Sequence, residues 1–310
     1  SLTRPSFAAL IGDMESVLTL IAAPGGLTES DVADLDPHWL AKGQACDVRC
    51  AYALARKTLA GKPVDILATK KRAAMLVTDM DSTIISEEAI DELALEVGLG
   101  DPIAAITDAG MCGRISFDEG FRQRIAMLAG TKLSVLDAVV DRLTPSPGAC
   151  TLLATMKSQG AHCVLISGGL KPMAERIGKR LGFDRVYSND VGIADGKLTG
   201  TVIGPILDAA GKRAALMDAC RLTGIDPKQV IAAGDGMNDV LMLESVGIGI
   251  AFHPKPALAS RIVNVVRYGD LTALLFVQGI AEETFIDNPI LNFFGENDFP
   301  LNPKSASTRA

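Results

Sequence analysis

Two carboxylates stand two residues apart in Asp79-Met80-Asp81-Ser82-Thr83, at the end of an apolar run. One can attack an electrophile while the other handles the proton, which is covalent catalysis with an adjacent acid/base. Against a phosphate ester such an attack meets repulsion. Two unit negative charges about 4 Å apart repel by roughly 4 kcal/mol at an effective dielectric of about 20. A divalent cation bridging carboxylate and phosphate removes that barrier. Gly234-Asp235-Gly236-Met237-Asn238-Asp239 supplies further hard oxygen ligands after another apolar run. Oxygen donors without His or Cys favour Mg²⁺. Ser167-Gly168-Gly169 offers a hydroxyl and two unencumbered amides where a helix is expected to begin, which makes an anion cradle. Lys212 can reach phosphoryl oxygens and neutralise developing charge.

These residues need elements to hold them. Residues 74–78 form a short apolar run of the kind a strand buried on both faces requires. Similar runs recur at 162–167, 230–234 and 246–251, separated by helical stretches over 148–158, 170–181 and 208–223. That alternation predicts a doubly wound α/β domain on a parallel sheet, with ligands just past the carboxyl ends of the strands. Asp79, Ser167 and Asp235 fall at such ends, and Lys212 falls early in a helix. Residues 186–194 and 197–203, joined at Asp195-Gly196, predict a β-hairpin.

Residues 84–145 break the rhythm with helical patterns and no strand, so a helical insertion should cover the strand ends. Within it Phe117, Phe121, Arg124 and Leu128 share one helix face, which points Arg124 inward. Upstream, strands at 17–23 and 64–68 and helices at 28–35 and 52–59 predict a small α+β module. It ends at the basic linker Lys70-Lys71-Arg72. The expected division is 1–72 for this module, 73–83 and 146–286 for the α/β core, 84–145 for the insertion and 287–310 for a tail. With four asparagines and three prolines, the tail reads as disordered, appended or docked on a neighbour.

A net charge of −7 and a pI of about 5.1 argue against nucleic-acid and anionic-membrane partners. No apolar run approaches the roughly 18 residues of a membrane span, and no basic stretch precedes an apolar segment as in a secretory signal. A cytoplasmic location is therefore expected. The six cysteines include no C-x-x-C pair, so they read as reduced core residues rather than zinc ligands.

Each segment alone has an ordinary reading: a surface D-x-D, a turn, a solvated lysine, a loop. As an ordered set they match the four motifs of the haloacid dehalogenase superfamily. Over about residues 74–277 the chain resembles its phosphoserine phosphatase branch. The resemblance implies that Asp79 is phosphorylated and Asp81 is the general acid/base. It implies Mg²⁺ held by Asp79, Asp235 and the backbone carbonyl of Asp81, with Asn238 and Asp239 just outside these ligands. Ser167, Gly168, Gly169, Lys212 and Asn238 would hold the phosphoryl group. Glu88, Met111, Phe117 and Arg124 match the branch's substrate-binding positions.

By the same resemblance Glu88 pairs with the ammonium of phosphoserine, and Arg124 grips its carboxylate by a two-pronged contact. Ordinary readings stay open for both. Arg124 could be a partly buried surface arginine, and Glu88 an acid favoured at a helix start after Ser86. The implied reaction is hydrolysis of small-molecule O-phospho-L-serine to L-serine and phosphate, the last step of serine biosynthesis, by an enzyme that could be a homodimer. A phosphatase or phosphotransferase acting on another phosphomonoester, and a non-catalytic amino-acid sensor, are the alternatives. The N-terminal module resembles the small ligand-binding ACT domains, through a strand ending in Pro-Gly and a β/α rhythm. Its 72 residues leave little room for their full pattern.

Other phosphate chemistries fail on spacing. Cys50 and Arg56 match C-x5-R, but the loop between them is helix-forming and lacks glycine. An EF-hand starting at Asp79 would need glycine at Ile84 and glutamate at Ile90. A P-loop at Gly211-Lys212 would need glycine at Ile206 and Ser/Thr at Arg213.

Overall fold

The computed structural model describes residues 16–68, 72–111 and 114–286, with all their side chains except those of Ser16 and Met111. The tail over 287–310, Lys70 and Lys71 of the basic linker, and Cys112 lie outside the described residues. Two sheets organise the rest.

In the first, β1 (Ser16–Ile21), β2 (His38–Ala41), β3 (Ala45–Cys50) and β4 (Asp65–Ala68) pair antiparallel in the order β2-β3-β1-β4. The helix Glu29–Val32 follows β1 and the helix Tyr52–Thr58 follows β3. This is the β-α-β-β-α-β order of ferredoxin-like folds, so these residues hold four strands and two helices. β2 and β3 are additional to the sequence expectation. β3 reads Ala-Cys-Asp-Val-Arg-Cys, whose small residues give a faint period-2 signal. Its strand character comes from pairing with β1 along its length, from Ser16↔Cys50 to Ile21↔Ala45.

The second sheet holds β5 (Met75–Thr78), β6 (His162–Leu170), β7 (Arg185–Ala194), β8 (Lys197–Ile203), β9 (Val230–Gly234), β10 (Ile248–Phe252) and β11 (Asn264–Val266). Their order is β11-β10-β9-β5-β6-β7-β8. Every pairing is parallel except β7 with β8. That hairpin turns at Asp195 and Gly196, with φ of 49° and 70°, as a two-residue turn demands.

β5 and β9 are buried at every position because helices cover both faces. Strand periodicity divides the side chains between two cores. Met75, Val77, Val164, Ile166, Val230 and Ala232 face the layer containing Leu216 and Ala219 of the helix Ala209–Thr223. Leu76, Cys163, Leu165 and Ile231 face the layer built from the helices Ala149–Ser158 and Lys171–Leu181.

Between β5 and these core helices run Ala89–Glu96, Gly100–Met111, Phe117–Met127 and Leu133–Val140. Ser116 caps the third, its hydroxyl accepting from the Glu119 N–H at 3.2 Å. Phe121, Ile125 and Leu128 are buried against the second core layer. Phe117 departs from the expected inward face and stays 39% exposed. Among the described residues no helix is long and apolar enough to cross a membrane.

The two sheets are tied together. Buried Asp65, at the start of β4, accepts the N–H groups of Arg267, Tyr268 and Gly269 at 2.8–3.3 Å. Ile21, Leu40 and Leu67 join the core of the larger sheet.

Candidate active site

Asp79 follows β5 directly, and its N–H donates to the Ala233 carbonyl on β9 at 2.9 Å. Its carboxylate, almost wholly buried, accepts from the Met80 N–H at 2.7 Å and from the Lys212 ammonium at 2.7 Å. Lys212 is fully buried and also donates to Asp239 Oδ1 at 2.7 Å. Asp239 Oδ2 accepts the Gly236 N–H at 3.1 Å. Burial alone would lower the pKa of Lys212, but Asp239 and Asp79 raise it above its ordinary value. The result is a fixed ammonium aimed at an Asp79 carboxylate oxygen. A Cβ on Gly234 would lie 2.4 Å from Asp239 Cγ, so glycine is required for Asp239 to reach this position.

Carboxylate oxygens of Asp79, Asp235 and Asp239 lie within 4.8 Å of one another. Burial pushes the Asp235 carboxyl up to about 6, with Asp79 and Glu88 adding to the rise and Lys255 opposing it. Three clustered carboxylates against one buried ammonium leave a deficit of positive charge. The donors are hard oxygens, so the cluster fits a divalent cation of the Mg²⁺ type. Asp239, expected just outside the ligands, is in the cluster, but both its oxygens are engaged by Lys212 and Gly236. The Asp81 carboxylate is not in the cluster. Its Oδ1 accepts the Ala89 N–H at 2.8 Å.

Met80–Ile84 form one wide turn, with Ser82 in the left-handed region at φ 51°. The turn carries Asp81 back toward the strand ends. Burial first, then the charges of Glu88 and Asp79, push the Asp81 carboxyl well above the ordinary range. It is thereby poised to carry a proton. Glu88 occupies the position before the helix Ala89–Glu96, as the sequence suggests. Its Oε1 accepts from the Ser82 hydroxyl at 3.0 Å and lies 3.5 Å from the Lys255 ammonium. Arg124 projects from the third insertion helix with its guanidinium 5.9 Å over the Phe121 ring. Burial lowers its pKa, and Asp91, Glu88 and Asp81 are the carboxylates that counter this. Among the described residues Arg124 makes no ion pair.

Ser167, Gly168 and Gly169 lie inside β6 rather than at a helix start, where the pairing with β7 slips between Ile166 and Leu170. The Gly169 amide is not free, because its N–H donates to Ser167 Oγ at 2.9 Å. That bond leaves the Ser167 hydroxyl proton available to a ligand. A Cβ on Gly168 would lie 3.6 Å from the tip of the Phe117 ring and 3.8 Å from Asn238 Nδ2. One on Gly169 would lie 3.4 Å from Asp81 Oδ2. Phe117 is thus exposed because it borders the cleft. Met111 ends its helix, and its side chain lies outside the described ones.

Three residues were not singled out from sequence. Ser82 holds Glu88. Buried Asn189 donates to the Gly168 carbonyl at 2.8 Å and accepts the Leu207 N–H at 2.7 Å, fixing the cradle's backbone. Lys255 lies 3.1 Å from Asp235 Oδ2. The prolines on either side of it, just past β10, are the one sequence signal that could have marked it.

The profile of haloacid dehalogenase-like hydrolases matches residues 76–244. The chain is 40% identical over 206 residues to phosphoserine phosphatase SerB2 of Mycobacterium tuberculosis, covering 66% of this chain and 50% of that protein. It spans about half the length of the first curated relatives it matches. Among solved structures it superposes on a HAD family hydrolase of Salmonella enterica serovar Typhi with a TM-score of 0.78 at 33% identity, covering 84% of this chain and 97% of that one. A phospho-aspartyl intermediate analogue of phosphoserine phosphatase gives a TM-score of 0.61 at 32% identity, covering 67% of this chain and 99% of that one.

Proposed function

Because the chain belongs to the haloacid dehalogenase-like hydrolases, we propose that it hydrolyses O-phospho-L-serine to L-serine and phosphate through an aspartyl-phosphate at Asp79. The observation that carries the reading is the meeting of two sets of groups. The α/β core contributes Asp79 and Asp235 from its strand ends and Lys212 from the helix Ala209–Thr223, and the insertion brings Glu88 and Arg124 close enough to couple electrostatically to Asp81. The first set suits a phosphoryl group. The second offers one carboxylate and one guanidinium, the complement of an amino acid's ammonium and carboxylate. The likeness to a phosphoserine phosphatase with a phospho-aspartyl analogue supports the covalent route.

Asp79 attacks phosphorus in line, forming a bond from its carboxylate oxygen as the bond to the serine oxygen breaks. Asp81 gives its proton to that leaving oxygen. Its raised pKa suits this, since a donor must hold its proton until the bond breaks. Asp81 then takes a proton from water, whose oxygen attacks phosphorus and returns Asp79 to a carboxylate. Lys212, the Ser167 hydroxyl and the Gly168 amide hold the phosphoryl oxygens, with Asn238 beside them. Mg²⁺ bound by Asp79, Asp235 and the backbone carbonyl of Asp81 would supply positive charge against the phosphoryl oxygens. The insertion helices limit water over the site.

The test is phosphate release with Mg²⁺ from phosphoserine, phosphothreonine, phosphoglycolate and an aryl phosphate. Phosphoserine should give the highest kcat/KM, and Asp79→Asn should abolish release from all four. Equal rates across the panel would refute the amino-acid reading. Substantial turnover by Asp79→Asn would refute the nucleophile.

A further inference from the structure

Lys255 is a site cation that the proposed reaction does not use. It stands just past β10 between Pro254 and Pro256, and its backbone N–H donates to the Asp235 carbonyl at 3.0 Å. Its ammonium lies 3.1 Å from Asp235 Oδ2 and 3.5 Å from Glu88 Oε1. Those two carboxylates are the ones to which the proposed function, on which this inference rests, assigns two ligand cations. Asp235 would hold the metal and Glu88 the substrate ammonium. One lysine faces both.

We propose that Lys255 is a resident stand-in for both cations, neutralising Asp235 and Glu88 in the empty site and yielding them as the metal and the substrate ammonium arrive. The two lysines of the site differ in the way this requires. Lys212 is wholly buried between Asp79 and Asp239, so it cannot leave without stranding charges. The Lys255 side chain is 53% exposed, and its flexible stem can swing the ammonium into water. Its backbone stays in place meanwhile. His253, two residues earlier, is held by its N–H to the Val266 carbonyl at 2.8 Å and by its ring nitrogen 2.8 Å from the Gly269 carbonyl. With its ammonium end open to solvent, this pair is weaker than the buried Lys212 pairs, which lets a ligand displace the lysine.

Lys255 therefore competes with both ligands, and removing its charge should tighten them. The experiment is calorimetric titration of MgCl₂ into the metal-free full chain for wild type, Lys255→Gln, Lys255→Met and Lys255→Arg. The neutral variants should bind Mg²⁺ about two- to fivefold more tightly, the range such a pair commands. Lys255→Arg should stay near wild type. At saturating Mg²⁺ the KM for phosphoserine should fall in the neutral variants, while competitive inhibition by phosphoglycolate, which has no ammonium, should not change. Loss of a merely structural contact would weaken binding. Unchanged or weaker Mg²⁺ binding in both neutral variants overturns the inference and leaves the proposed function standing. Failure of the wild type to bind Mg²⁺ or to hydrolyse phosphoserine would instead remove the reading beneath it.

Discussion

Replacing Asp235 with asparagine should abolish the metal site and yet stabilise the metal-free protein. Asp235 is 5% exposed. Burial, the opposing pull of Lys255 and the repulsion of Asp79 together set its carboxyl at about 6, against an ordinary 3.8. A rise of about two pH units corresponds to roughly 3 kcal/mol between the protonated and ionised forms. Because the folded value lies above the unfolded one, the folded protein binds more protons between these two values. This group's contribution to stability therefore falls as pH rises through that window, and the cost is complete above it.

Asparagine cannot ionise. In EDTA at about pH 7.5, Asp235→Asn should melt higher than wild type by up to about 6–12 °C, at about 2–4 °C per kcal/mol. Near about pH 4, where wild-type Asp235 is protonated, the two should converge. Added Mg²⁺ should raise the wild-type melting temperature and leave the variant unmoved. Thermal melts by circular dichroism at the two pH values, with and without Mg²⁺, read all of this. A variant that melts no higher than wild type at the higher pH, or one whose gain persists at the lower pH, refutes the electrostatic account.

Three further outcomes follow from contacts already described. Asp239→Asn removes the charge that holds Lys212 against Asp79, and kcat should fall about a hundredfold in phosphate-release assays, the scale of a misplaced catalytic group. Arg124→Ala should lower kcat/KM for phosphoserine about ten- to hundredfold more than for an aryl phosphate, the worth of a charge-assisted contact that only the amino acid makes. Asp65→Asn turns an amide toward the N–H groups of residues 267–269 and should cost about 1–3 kcal/mol in denaturant melts while leaving kcat unchanged.

The sequence showed the second sheet better than the first for a physical reason. Met75–Thr78 and Val230–Gly234 are buried on both faces, so they must be continuous apolar runs, and such runs stand out. β2 is only four residues long and β3 is rich in Ala and Cys, and only their pairing, β3 with β1 and β2 with β3, marks them as strands. Asp79, Asp81, Ser167, Lys212 and Asp235 could be found because strand ends and motif order place them together. Ser82 and Asn189 could not, since their importance lies in the side-chain and backbone partners that the fold brings to them, Glu88 for the one and Gly168 with Leu207 for the other, and Lys255 had only its flanking prolines to mark it before the fold set it against Asp235. The Gly169 amide looked free because a local bond from its N–H to Ser167 Oγ has no sequence signature.

The position of β5 in the sheet has a consequence during synthesis. β5 lies between β6 and β9, so the carboxylate that opens the site is flanked by strands made long after it. At about 5–20 residues per second, roughly 8–30 s pass on the ribosome between residue 79 and residue 235. The first sheet can close in that interval, because its four strands are neighbours in the chain. β5 cannot, and the apolar insertion helices emerge before the sheet they will cover. A nascent chain thus exposes Met75, Leu76 and Val77 while having no catalytic capacity. The candidate site and protection from aggregation arrive together, when β9 docks.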